Sequence, residues 1–142
     1  MRVLVTGGAG FIGSNIACKA VRESFEVRVL DNLYLGSLNN LQKIDNLEFI
    51  KGDVRNARIV DEATRDVDYV FHEAAVSSSQ MFVPDPREGM EVNLQGFQNV
   101  LHYALKNKVR KVVYALTSSM YGNTPVPWKE ESVSLKHCPN AY

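Results

Sequence analysis

The chain has 142 residues, enough for one domain, and a hydrophobic content of 45% is enough to build a packed core. Sixteen Lys and Arg balance sixteen Asp and Glu, so no net field draws in nucleic acid or an anionic membrane. No apolar run approaches the roughly 20 residues of a membrane span, and Cys18 and Cys138 stand in no metal-binding spacing, so neither a membrane nor a metal is expected.

The N-terminus runs straight into glycine, so Val3-Leu4-Val5 reads as a first strand, buried on both faces, rather than as a leader. Two unpaired thiols without such a leader suggest a reducing, cytoplasmic setting. From Phe11 to Ser24 the apolar residues Ile12, Ile16, Ala17, Ala20 and Val21 recur at helical spacing. Glu26 to Leu30 reads as a second strand and Leu47 to Lys51 as a third. A short helix is expected around Ile59 to Thr64, and a fourth strand from Val67 to Phe71. Pro86 suits the first position of a long helix reaching about Lys106, with Met90, Leu94, Phe97, Leu101 and Ala104 as one apolar stripe. Asn93 lies on one helical face with Gly96, Val100 and Ala104, where a polar residue among small ones must meet a backbone group or a ligand. Lys111 to Leu116 reads as a fifth strand, and after Gly122 the prolines 125, 127 and 139 mark a loop.

Strands and helices in short alternation predict an α/β fold: a doubly wound parallel sheet in the order 3-2-1-4-5. Because the chain ends in the loop after the fifth strand, residues 1–142 are expected to be the N-terminal portion of a Rossmann domain. A sixth strand and a substrate domain would then be absent.

The segment Thr6 to Gly13 carries glycines at Gly7, Gly10 and Gly13 between the first strand and the first helix. A pyrophosphate rests on a helix N-terminus only where the backbone comes close and free N–H groups point at it. Side chains at Gly7 or Gly10 would block that approach, and Gly13 lets the helix pack on the strand. An acid should follow about 20 residues later, and Asp31 ends the second strand. Its carboxylate can accept the ribose hydroxyls of an adenosine and would repel a 2′-phosphate, which favours NAD over NADP. An Asp opening a turn at Asp31-Asn32-Leu33 satisfies the same position structurally.

With this TGxxGxxG-type loop, the chain resembles the extended short-chain dehydrogenase/reductases of the NAD-dependent epimerase/dehydratase type. The likeness continues through Asp31-Asn32-Leu33, Gly52-Asp53-Val54, His72-Glu73-Ala74-Ala75, Asn93, Ser119-Met120-Tyr121-Gly122 and Pro139-Asn140-Ala141-Tyr142. Within that family it is most similar to the nucleotide-sugar 4-epimerases of the UDP-glucose type. The resemblance implies that Phe11 and Ile12 contact the pyrophosphate through the backbone. It places the adenosine ribose against Asp31, Asn32, Leu33, Tyr34, Leu35 and Gly36, and the adenine beside Asp53 and Val54. Glu73, Ala74, Ala75, Val76 and Ser77 would line the nicotinamide side, and Asn93 would bond near its ribose. Thr117 and Tyr142 would be the catalytic pair, supported by a lysine four residues beyond Tyr142.

Read without the resemblance, Asp53 suits a helix N-cap and His72 a satisfied core group. The dehydratase branch of the family carries Asp-Glu directly after the Thr, where this chain has Ser118 and Ser119, so dehydration is disfavoured. A nucleotide sugar such as a UDP-sugar is the implied substrate and a homodimer the implied assembly. A non-catalytic dinucleotide-binding fragment is the competing expectation, along with a related sugar-nucleotide reductase or decarboxylase.

Overall fold

The computed structural model describes residues 1–42 and 44–133. Strand β1 (Arg2–Thr6) leads through a glycine turn into helix α1 (Phe11–Arg22) and strand β2 (Glu26–Asp31). Strand β3 (Leu47–Lys51), helix α2 (Ala57–Thr64) and strand β4 (Tyr69–His72) follow. Helix α3 (Pro86–Met90) continues through a π-helical stretch, Glu91–Gly96, into helix α4 (Phe97–Lys106), and strand β5 (Lys111–Tyr114) is the fifth strand among the described residues. The strands pair in the order β3-β2-β1-β4-β5, all parallel, as the alternation predicts.

Being central, β1 is covered on both sides. On one side Val3 and Val5 pack with Val27 and Val29 under Ala17 and Ala20 of α1 and under Leu41. On the other, Leu4, Leu30 and Val70 meet Val60 and Ala63 of α2 and Val100 of α4. Between α1 and β4 the described residues leave a groove of about 740 Å³, lined by Phe11, Ile12, Ile16, Tyr69 and Phe71 among others.

Local chemistry sets the ends of the elements. Helix α1 stops two residues short of Ser24, which adopts a left-handed φ of 64°. There Ser24 N donates to the Val21 carbonyl and Phe25 N to that of Ala20, a Schellman closure. Lys108 closes α4 in the same manner, with φ 60° and with Val109 N on the Ala104 carbonyl. Helix α2 begins earlier than its apolar spacing suggests, because the Asn56 side chain caps it by accepting from Arg58 N and Ile59 N. Asp53 is therefore not the cap. Asp85 caps α3 ahead of Pro86. Strand β5 ends at Tyr114 rather than Leu116, because β4, its only ladder partner among the described residues, ends at His72 opposite Tyr114.

Of the expected stripe Met90–Leu94–Phe97–Leu101–Ala104, Ala104 is the one buried member. Met90, Leu94 and Leu101 are exposed, and Gly89, Gly96, Val100 and Ala104 are turned inward. Close approach explains the preference for small residues. A Cβ at Gly96 would stand 2.5 Å from Val54 Cγ2, and one at Gly89 would stand 2.5 Å from the Phe82 ring.

Candidate cofactor site

A cavity of about 380 Å³ opens along the carboxyl ends of β1 to β4, beside the N-terminus of α1. Each of those strands ends in a loop that contributes to its wall, and Glu88 and Gly89 of α3 with Val92 of the π-helical stretch form a lip. Of the expected cofactor residues, all but Leu33 and Asn93 line this one cavity. Bound ligands in open α/β sheets occupy this place, where the chain order switches direction.

The glycine loop is shaped by the fold as well as by a ligand. Gly7 has φ +66°, and a Cβ there would come within 2.6 Å of Ala74 N, so a side chain collides with the segment after β4. At Gly13 a Cβ would strike the Gly7 carbonyl oxygen. Gly10 differs: a Cβ there would meet only Gly7 O, at 3.2 Å, and the space beyond belongs to the cavity. Gly10 is the N-cap of α1 and offers no side chain to satisfy the first-turn amides of Phe11, Ile12 and Gly13. Those N–H groups have no intrahelical acceptor, and at the positive end of the helix they form a cradle suited to a pyrophosphate. The loop residues therefore fit a dinucleotide.

Asp31 is buried at the end of β2. Its Oδ2 accepts from Ala9 N at 2.9 Å and its Oδ1 from Leu33 N at 2.7 Å, so it pins the glycine loop and opens the next turn. A carboxylate offers about four acceptor positions, which leaves capacity for ribose hydroxyls on the cavity side. Leu33, at φ 62°, is the turn residue and does not reach the cavity, whereas Tyr34 and Leu35 do, as exposed walls.

Asp53 lines the cavity after β3 in a denser set of contacts. Arg55 grips it side-on, Nε to Oδ1 at 3.0 Å and Nη2 to Oδ2 at 2.8 Å. The Arg55 backbone N donates to Oδ1 at 2.8 Å and Asn32 Nδ2 to Oδ2 at 3.1 Å. These donors, the Arg55 side chain first, hold the carboxyl at about 2, below its usual 3.8, against the opposing effect of burial. Arg55, Glu88, Gly89 and Val92 are cavity residues that the sequence reading missed. The Asp53-x-Arg55 spacing was the available signal for the first. Glu88 comes from a helix whose angle to the sheet no motif announces.

After β4, His72 is buried, with Nδ1 2.7 Å from Thr6 Oγ1 and its ring stacked on Phe97 at 5.5 Å. Burial lowers its pKa to about 4, so it is a neutral core group. Burial likewise pushes the Glu73 carboxyl upward at the cavity wall. Asn93 does not face the cavity. Its Oδ1 accepts from Val76 N at 2.8 Å and its Nδ2 donates to Val76 O at 3.1 Å, so the amide clamps the loop after β4, where the nicotinamide side is expected. Of the two backgrounds open to it, a backbone group or a ligand, Asn93 has the backbone.

Thr117 lies just beyond β5, at the carboxyl edge of the sheet but outside the cavity lining. Its Oγ1 accepts from Ser119 N at 3.1 Å, capping the short 3-10 turn Ser118–Tyr121. Tyr142 lies outside the described residues, as does the approach to it through Pro139.

Comparison with known proteins agrees with this geometry. The model of the "NAD dependent epimerase/dehydratase family" matches residues 3–142. A UDP-N-acetyl-alpha-D-glucosaminuronate decarboxylase of Bacillus cytotoxicus is 35% identical over 94% of the chain and 42% of its own length. A UDP-glucose 4-epimerase of Halalkalibacterium halodurans is 34% identical over 95% of the chain and 40% of its own. Among solved structures, the Thermus thermophilus UDP-glucose 4-epimerase in complex with NAD superposes with a TM-score of 0.83 at 40% identity. That match covers 94% of this chain and 44% of the other. The chain thus spans about two fifths of the length of the relatives it matches. Matched almost from end to end, and with a glycine cradle fitted to a dinucleotide, the chain belongs to the NAD-dependent epimerase/dehydratase family, whose cofactor is NAD.

Proposed function

We propose that the chain is the cofactor-binding part of a nucleotide-sugar 4-epimerase of the UDP-glucose/UDP-galactose type. The observation that carries the reading is the convergence of Gly10, Phe11, Asp31, Asp53 and Glu73 to Ser77 on one cavity at the N-terminus of α1. The α1 amides would hold the pyrophosphate, Asp31 the adenosine ribose, and Asp53 with the Val54 backbone the adenine. Asp31 brings a negative charge to the ribose and so selects against a 2′-phosphate. Bound NAD would supply the hydride acceptor, and then the donor, that a ketone route to the epimer requires.

The chain's own contribution to chemistry is proton handling. Thr117 Oγ1 accepts from Ser119 N, which leaves its proton to give to a substrate oxygen. Thr117 is the proposed relay and Tyr142 the proposed base. A phenol with an ordinary pKa near 10 needs a nearby cation to serve at neutral pH. Ser118 and Ser119 cannot protonate a leaving hydroxyl, which favours epimerisation over dehydration. Decarboxylation is the second reading, supported by the similarity to the Bacillus cytotoxicus enzyme. The exposed leucines at 94, 101 and 105 support a homodimer formed through the outer face of α4 and of the π-helical stretch before it.

The protein expressed from its complete gene should convert UDP-galactose to UDP-glucose in a coupled assay. Thr117→Val should lower kcat by about 10²-fold, as loss of a positioned proton donor does. Release of CO₂ from a UDP-uronic acid, without epimerisation of UDP-galactose, would move the assignment to decarboxylase.

A further inference from the structure

The contacts around Asp53 form a chain across three walls of the cavity. Asn32 comes from the loop after β2, Asp53 and Arg55 from the loop after β3, and Glu88 and Glu91 from the helical lip. Arg55 sits at its centre. Besides its side-on grip on Asp53, its Nη1 is 3.5 Å from Glu91 Oε2 and 4.0 Å from Glu88 Oε1. One guanidinium is thus bracketed by three carboxylates. The planar fork fixes the plane of the Asp53 carboxylate as well as its charge, which a lysine ammonium would not do.

We propose that Arg55 is the specificity-determining residue of the adenine end of the cavity. It acts by positioning Asp53 as a fixed, purely accepting edge that selects a 6-amino purine over a 6-oxo purine. The inference rests on the reading of this cavity as the NAD site. An ionised carboxylate accepts and cannot donate, so it suits an exocyclic amine and repels a carbonyl oxygen in the same place. Four donors already occupy the roughly four acceptor positions of Asp53. The longest of these contacts, 3.1 Å from Asn32 Nδ2, is the one the 6-amino group would displace. The Arg55 contacts remain and hold the acceptor in place.

Calorimetric titration of the protein with NAD and with nicotinamide hypoxanthine dinucleotide tests this. The wild type should prefer NAD by about tenfold or more, the discrimination expected of one charge-assisted hydrogen bond. Arg55→Gln should bring the ratio to about twofold or less, and Arg55→Lys, which keeps the charge but loses the fork, should fall between. Thermal melts of each variant report folding, and if Arg55→Gln does not fold, the ratio for Arg55→Lys decides. A variant that binds both nucleotides more weakly at an unchanged ratio would make Arg55 a structural residue only and overturn the proposal. A wild type that binds the two nucleotides equally would overturn it while leaving the NAD reading in place. A wild type that binds neither would overturn the NAD reading, and the proposal with it.

Discussion

At the scale of single residues, His72 shows how burial turns a familiar motif position into a stability element. The Thr6 hydroxyl oxygen also lies 3.3 Å from Ala74 N, from which it accepts, so its own proton is available to His72 Nδ1. The folded protein keeps this imidazole neutral down to about pH 4, whereas the unfolded chain protonates it near 6.5. Its contribution is therefore intact above pH 6.5, is lost progressively as the pH falls to 4, and then levels off. The loss is on the order of 3 kcal/mol. Asp53 and Asp61, both held at about 2, lose their contributions only below the usual 3.8, outside that window. Glu73, shifted upward, acts in the opposite sense, so a comparison of variants is more informative than the raw slope. Urea unfolding at about pH 7.5 and about pH 5, on either side of most of that loss, should show a smaller pH effect in His72→Gln than in the wild type. Equal effects would mean that His72 is not the group responsible. Most of the residues that line the cavity could be read from the sequence, because short motifs fix backbone positions at strand ends, while Arg55, Glu88, Gly89 and Val92 were not. The sequence did not show what Asn93 and Asp31 bond to, since Val76 N and Ala9 N are brought to them only by the closed fold.

At the scale of elements, β1 and β2 could be read almost residue by residue, because mostly apolar runs mark strands buried on both faces. β3 could be read with the same bounds, although it lies at the sheet edge with no fully buried residue. The long helix could not. Its leucines point outward, and its inner face is made of glycine, alanine and valine, which carry too little apolar weight to outweigh them in a periodicity count. One residue of β2 also breaks the pattern. Arg28 is buried in mid-strand, where its Nη1 reaches the carbonyls of Ala63 at 2.8 Å and Arg65 at 2.9 Å, and its Nε reaches Glu48 at 2.8 Å. It thereby caps the C-terminus of α2 from the neighbouring strand. Arg28→Met should cost about 2–4 kcal/mol, since it strands buried carbonyls. Glu48→Gln should cost less than about 1 kcal/mol, because Glu48 is half exposed and the carbonyl contacts survive. Chemical denaturation of the two variants checks the order, and a larger loss in Glu48→Gln would assign the energy to the ion pair instead.

At the scale of the whole molecule, two apolar surfaces stand out, the groove beside α1 and the outer face of α4. Leu105 is 82% exposed and Leu94 61% exposed, more than a solvated helix face needs. If α4 pairs with its counterpart in a second copy, Leu101→Glu with Leu105→Glu should shift the sedimentation coefficient toward the monomer and leave NAD affinity unchanged. A wild type that already sediments as a monomer would remove that assignment. The order of the sheet also has a consequence for how the protein is made. Of the five strands of this sheet β1 leaves the ribosome first, yet one of its two neighbours, β4, pairs Tyr69 with Val3. At ordinary rates of translation the interval between them is roughly 3 to 13 seconds. Throughout that interval Val3-Leu4-Val5 can be paired on one edge at most, so the strand that becomes the best protected in the finished molecule is, during synthesis, an open template for other nascent chains.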